Sequence, residues 1–189
     1  MLYLTFGPFD LETRRGRKGV TLDLGRDTLR RFWDSVEKET QRDLRKALGV
    51  YVFGGSIPYN YVPWYVGQAK KGFEGEVFNT SNKNKYQTAY SHEMVAEQAV
   101  IFLIAKITPK HQRLAKTLPE VEANFVEQEI MRRALAVNRK LINSSGTGHF
   151  RKWEIRGLIN TVDDVELDQS TKRLRKCLNI TGKVDVYTQ

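Results

Sequence analysis

Between Glu120 and Val137 apolar residues recur at helical spacing. Ala123, Val126, Ile130 and Ala134 form a stripe that Met131 widens. Glu127 falls inside that stripe, three residues before Ile130, four before Met131 and seven before Ala134. A carboxylate on an apolar face is desolvated, which costs free energy unless a cation or several donors meet it. One solution is a buried or half-buried salt bridge to Arg or Lys, the commoner outcome for such a residue taken alone. The other is a hard divalent cation, since Mg²⁺ is typically held by one or two carboxylates and waters. A second group is the pair Tyr51 and Tyr65, each within a short β-prone run. On neighbouring strands their phenolic oxygens can meet on one face, although cross-strand aromatic packing is the ordinary use of such a pair.

The elements that must position these residues follow from pattern and punctuation. Leu2–Phe6 and the alternating Val20–Leu24, separated by the basic run Arg14–Lys18, are expected to form a β-hairpin. Asp27 is the expected N-cap of a helix to about Leu48, with Leu29, Phe32, Val36, Leu44, Ala47 and Leu48 on its apolar side. Gly49 stops that helix. Val50–Phe53 and Trp64–Val66 read as a hairpin with a long connection from Gly54 to Pro63. A helical turn around Phe73–Phe78 and a helix around Gln87–Val95 come next. Ala99–Thr108 is apolar almost throughout, as in a central strand, and Pro109 closes it. Thr117 and Glu120 have capping-box spacing, with Pro119 early in the first turn of a helix to about Val137. Phe150–Ile159 reads as a further strand and Asp168–Leu178 as a helix with Leu174 and Leu178 inward. The fold class is α+β, a small mixed or antiparallel sheet flanked by helices. The expected division is an extension over 1–48 packed on a core over 49–160, with a helical extension over 161–189.

Composition narrows the partners. The chain of 189 residues has 31 Lys and Arg against 22 Asp and Glu, a formal charge of +9. The excess is spread over residues 1–160 rather than held in one tail, which points to a folded basic surface facing a polyanion. A single cysteine, Cys177, excludes an intrachain disulfide and a multi-cysteine zinc site. The longest apolar run, Ala99–Ala105, is far shorter than the roughly 20 residues of a membrane span. Residues 1–8 show neither the basic start nor the apolar stretch of a secretory leader. No membrane partner is expected, and the expected location is cytoplasmic or nucleoid-associated. His92, His111 and His149 lack metal-ligand spacing, and no phosphate-binding GxxxxGK[ST] loop occurs. Ser144–Gly148 could cradle an anion but reads more simply as a turn, and Trp33, Trp64 and Trp153 read as core residues.

Gly49-Val50-Tyr51, followed by Tyr65-Val66-Gly67, resembles the two short motifs that name the GIY-YIG nuclease superfamily. Glu127, Ile130, Met131 and Ala134, with Asn138 and Asn143 beyond, resemble that family's glutamate helix and the asparagine after it. The resemblance spans roughly residues 49–145. It implies a GIY-YIG-like core and a DNA endonuclease using Mg²⁺ or Mn²⁺ in a one-metal hydrolysis, with RNA not excluded as substrate. Glu127 would be the metal ligand and Asn143 would orient the loop around the site. Tyr51 would take or relay a proton from water, and Tyr65 would hold the phosphate with Lys70. A phenol, with an ordinary pKa of about 10, needs a cation nearby for this. Gly67 would let a phosphate approach, and Lys71, Lys83, Lys85, Tyr86, Arg132 and Arg133 would contact nucleic acid, with Arg139 and Lys140 widening the basic surface.

One departure accompanies the match. Eight residues past Gly67 stands Gly75, and alignment on Phe73 puts Glu76 where the family has an arginine; no Arg lies between Arg45 and Arg113. Lysine can replace that planar clamp only as a point charge. The alternative reading is therefore a nucleic-acid-binding module on the same fold without catalysis. A scaffold protein with incidental motif matches would leave Glu127 unexplained.

Overall fold

The computed structural model describes residues 2–16, 19–58, 60–92, 98–110, 112–143 and 168–177. The expected strand Phe150–Ile159, the turn Ser144–Gly148, Trp153, Leu178, His111 and His149 lie outside the described residues, as does the side chain of His92.

β4 (Gly49–Ile57) and β5 (Asn60–Ala69) form an antiparallel hairpin, and β4 pairs on its other side with β6 (Gln98–Thr108). β6 in turn pairs with β1 (Leu2–Asp10), giving the antiparallel order β1-β6-β4-β5. Beyond the last residue paired with β4, the short β7 (Arg113–Leu114) continues alongside β6. β6 is thus flanked on both sides, which is why its sequence is apolar almost throughout.

Helices cover both faces. Phe32, Trp33 and Val36 of α1 (Arg26–Thr40), Phe73 and Val77 of α2 (Phe73–Val77), and Tyr86 and Ala89 of α3 (Thr80–His92) pack with Tyr51, Phe53, Ile101 and Leu103 on one face. On the other, Met131, Ala134 and Leu135 of α4 (Glu120–Val137) close a smaller core with Val50 and Val66. The chain is α+β, an antiparallel sheet flanked by helices, and no described helix is long and apolar enough to cross a membrane. The last helix, α5 (Gln169–Cys177), is capped by Asp168, whose Oδ1 accepts the Thr171 N–H at 2.9 Å.

Several local expectations are corrected. Leu2–Phe6 does not form a hairpin with Val20–Leu24; it pairs with β6, where an apolar strand finds an apolar neighbour. The hairpin is instead β2 (Thr13–Gly16) with β3 (Gly19–Leu22). Residues 1–48 therefore contribute a strand to the main sheet and are more than an extension packed on it. α1 starts after Gly25 rather than at Asp27 and ends at Thr40, where Gln41 turns left-handed at φ 55°; Leu44–Lys46 is a separate 3₁₀ turn. The presumed loop Gly54–Pro63 belongs mostly to the hairpin, with a bulge at Trp64 that makes Phe53 pair with Tyr65 but Gly54 with Pro63. α3 begins seven residues before the expected Gln87. Pro119, not Thr117, precedes α4, without a side-chain cap. Leu174 is 44% exposed rather than inward.

Two anchors fix α4. At its start, Glu122 accepts from Tyr3 Oη at 2.8 Å and Lys106 Nζ at 2.7 Å, tying the helix to β1 and β6. At its end the chain runs along the outer edge of β5. Asn138 Nδ2 donates to Pro63 O at 2.8 Å, and the Ile142 N–H donates to Trp64 O at 2.9 Å. Buried Asn143 then accepts the Val66 N–H at 3.0 Å and donates back to Val66 O at 2.6 Å. An edge strand with open backbone groups needs such a cover. Asn143→Ala should leave both Val66 groups unpaired and cost about 2–3 kcal/mol in urea unfolding, with the m-value unchanged.

Candidate functional site

Tyr51 and Tyr65 sit on the same face of β4 and β5, with ring centroids 6.2 Å apart. The space for the first ring comes from Gly67, directly across from Tyr51. A Cβ at that position would lie 2.5 Å from Tyr51 Cζ. The glycine thus serves the phenol and not, as the motif implied, the approach of a phosphate. Tyr51 is only 2% exposed. Its hydroxyl accepts a hydrogen bond from Asn82 Nδ2 at 2.7 Å, and the same amide donates to Glu76 O at 2.7 Å. Burial, with the Tyr65 phenol beside it, pushes the Tyr51 hydroxyl well above the ordinary phenol range.

Tyr65 is the accessible member of the pair. Lys85 Nζ lies 4.5 Å from its ring centroid and donates to its hydroxyl at 3.3 Å. Tyr86, expected to reach nucleic acid, is instead fully buried. Its ring stacks on Phe53 at 4.1 Å and its hydroxyl donates to Val77 O at 2.9 Å. It buttresses the tyrosine pair from within the core.

Glu127 approaches from the opposite side of the sheet. α4 covers the face that carries Val50 and Val66, and strand alternation puts Gln68 there too. Gln68 Nε2 donates to Glu127 Oε2 and Asn124 Oδ1, both at 3.2 Å. Burial raises the Glu127 carboxyl above its ordinary value, and the fields of Lys70 and Lys85 only partly offset this. Among the described residues no cation stands within ion-pairing distance of Glu127, so the salt bridge that such a position ordinarily implies is absent. Lys70 is held at 3.0 Å by Glu120. Lys85 is the common element, because it bonds the Tyr65 phenol and also acts on Glu127. Tyr51 and Tyr65 thus stand on one face of the β4–β5 hairpin and Glu127 on the other, with Lys85 acting on both Tyr65 and Glu127.

The donor set beside Glu127 suits a hard cation. Among the described residues Gln68 Oε1 is buried without a hydrogen-bond partner, on the amide whose Nε2 meets the Glu127 carboxylate and the Asn124 amide oxygen. Oxygens with a single carboxylate fit Mg²⁺ or Mn²⁺ completed by water, not zinc. No group of three or more His, Cys, Asp and Glu side chains gathers into a metal cluster among the described residues.

The remaining candidates disperse. Asn143 acts on Val66 backbone, as above. Glu76 is turned to the Lys71 N–H at 2.6 Å, and a side chain at Gly75 would meet open space. The Lys71 side chain is exposed, and Lys83 lies in a separate groove beside α1. Arg132 and Arg133 both bond Glu129 at 3.0 Å. Sequence reasoning missed Asn82 and Gln68. Asn82 was findable in principle, since Asn79 three residues earlier caps α3 by accepting the Asn82 N–H at 2.9 Å. Gln68 carried no signal beyond following Gly67.

No family model, curated sequence or solved structure matches the chain.

A desolvated carboxylate without an ion pair works against folding once ionised. With its folded pKa raised, Glu127 favours the native state below the unfolded value of 4.5 and loses that contribution as pH rises through the folded pKa. Glu127→Gln should therefore raise the Tm at neutral pH, by about 2–4 °C for each kcal/mol relieved. The gain should vanish in acid, as thermal melts across a pH series would show.

Proposed function

We propose that this chain is a divalent-metal-dependent DNA endonuclease that hydrolyses a phosphodiester bond at the edge of β5. One observation carries the reading. Glu127 is drawn into a half-buried place against the Gln68 amide, whose oxygen is orphaned, with no cation paired to it among the described residues, and Lys85, which bonds the accessible phenol of the Tyr51–Tyr65 pair, also acts on it electrostatically. The GIY-YIG-like motifs named above supply the same residues in the same order.

Glu127, with Gln68 and Asn124 as neutral oxygen neighbours, would hold the cation. Bound there, Mg²⁺ or Mn²⁺ would supply charge for the oxygens of the reacting phosphate. Lys85 donates to the Tyr65 hydroxyl and sets a positive charge over its ring, so that Tyr65 is held to orient the attacking water or a phosphate oxygen. Lys70 adds positive charge on the carboxylate side. Tyr51 does not reach solvent; held by Asn82 and packed on Gly67, it fixes the ring of Tyr65.

A second reading, a DNA-binding module without catalysis, is favoured by one fact. Among the described residues the cation bonded to Tyr65 is an ammonium, and Glu76 is committed to a backbone N–H. Incubation with supercoiled plasmid separates the two. The nuclease reading expects nicking with Mg²⁺ or Mn²⁺ and none with EDTA. It further expects no nicking by Glu127→Gln with DNA binding retained, and a loss of about 10²-fold or more in Tyr65→Phe. Salt-sensitive binding by the parent without nicking under either metal would establish the module instead.

A further inference from the structure

The N-terminal face of α1 and the α2–α3 corner enclose a groove of about 770 Å³ that the site above does not use. Four cations line it, Arg26, Arg30, Arg45 and Lys83, against two carboxylates, Asp27 and Glu74. Only part of this charge is spent internally. Arg30 meets Asp27 at 3.3 Å with both side chains largely in water, and Arg45 is bound to Asp34. Arg26 and Lys83 make no ion pair among the described residues. Among the described residues Arg45 also keeps a buried Nε without an acceptor, although its side chain is 25% exposed. The floor is Trp33 and Phe78, buried and packed edge to face at 6.0 Å, so no aromatic face is offered for a base to stack on.

We infer that this groove holds the phosphate backbone of duplex DNA on the far side of α3 from the proposed cleavage site. The inference rests on the proposed function for the identity of the partner and extends it by naming where the substrate is gripped. α3 itself supports the path between them. At 100° per residue Lys83 and Lys85 flank opposite sides of the helix, the first facing the groove and the second Tyr65. The outward residues between them, Ser81, Asn84 and Thr88, are exposed, neutral and polar, and α3 contains no acidic residue. A helix is about 10–12 Å across with its side chains, close to the roughly 12 Å width of a DNA major groove. One duplex lying over α3 can thus meet both lysine flanks. Point charges over a closed aromatic floor bind backbone and carry no base readout, so this grip is insensitive to sequence and sensitive to salt.

Fluorescence anisotropy with a short duplex of random sequence, in EDTA so that no cleavage intervenes, tests the groove directly. The triple variant Arg26→Ala, Arg30→Ala, Lys83→Ala should bind at least about tenfold more weakly and lower the slope of log K against log salt by about two to three. A control with equal charge loss elsewhere, Lys110→Ala, Arg113→Ala, Lys116→Ala, should retain most of both. Asn84→Asp with Thr88→Glu adds charge only on the exposed back of α3 and should also weaken binding, while circular dichroism stays unchanged. Equal affinity and slope in parent and groove variant, equal losses in groove variant and control, or no duplex binding by the parent would each overturn the inference. The plasmid assay fails or succeeds separately: a groove-dependent binder that never nicks retains the grip and loses the nuclease.

Discussion

Glu127 bears a cost that the rest of the site is arranged around. Burial raises its carboxyl, the two lysines that act on it do not pair with it, and its direct hydrogen bond comes from an amide that is itself left with an unpartnered oxygen. A fold optimised only for stability would place an apolar residue or a guanidinium there. Proteins tolerate such local conflicts where ligands or chemistry require them, and the conflict lies here at the same strand edge as an accessible phenol with a cation on it.

The edge of β5 is where the two faces of the sheet communicate. An edge strand leaves one row of backbone groups open, and the segment from Asn138 to Asn143 covers them from Pro63 to Val66. That cover stops short of Gln68, where α4 takes over through Asn124 and Glu127. The result is a strand whose middle is sealed by a loop and whose Gln68 side chain is held by α4. The two faces are then linked electrostatically past this edge by Lys85, which bonds Tyr65 on one side and acts on Glu127 on the other.

The parts of this arrangement legible in the sequence are those with strong periodicity. The stripe of α4 displayed Glu127 as an intruder, and the apolar run at Ala99–Thr108 marked β6 within one residue of its start. The tyrosines were readable because strand alternation places them together. Long-range pairing was not readable: nothing local in Leu2–Phe6 says that its partner is a strand roughly a hundred residues away. The bulge at Trp64 hid the length of the hairpin, since Gly54, Gly55 and Pro63 carry turn chemistry yet lie within strands. Tyr86 looked like a surface phenol because its neighbours are polar, and only tertiary packing against Phe53 reveals it as core.

α3 shows why that failure was physical and not accidental. Thr, Ser, Asn and Tyr are indifferent helix formers, and Thr80–His92 has no broad apolar face from which to infer one. The helix persists because Tyr86 and Ala89 enter the core and Asn82 is 4% exposed with its amide nitrogen donating to both Tyr51 and Glu76. A helix held by a buried amide and a buried phenol, rather than by its own propensity, is positioned by the groups it touches. Lys85 is therefore held beside Tyr65 by the same packing that seats Tyr51 against Gly67 and Asn82. The cation on the phenol is then set by tertiary packing of α3 on the hairpin and not by any local preference of the Thr80–His92 segment.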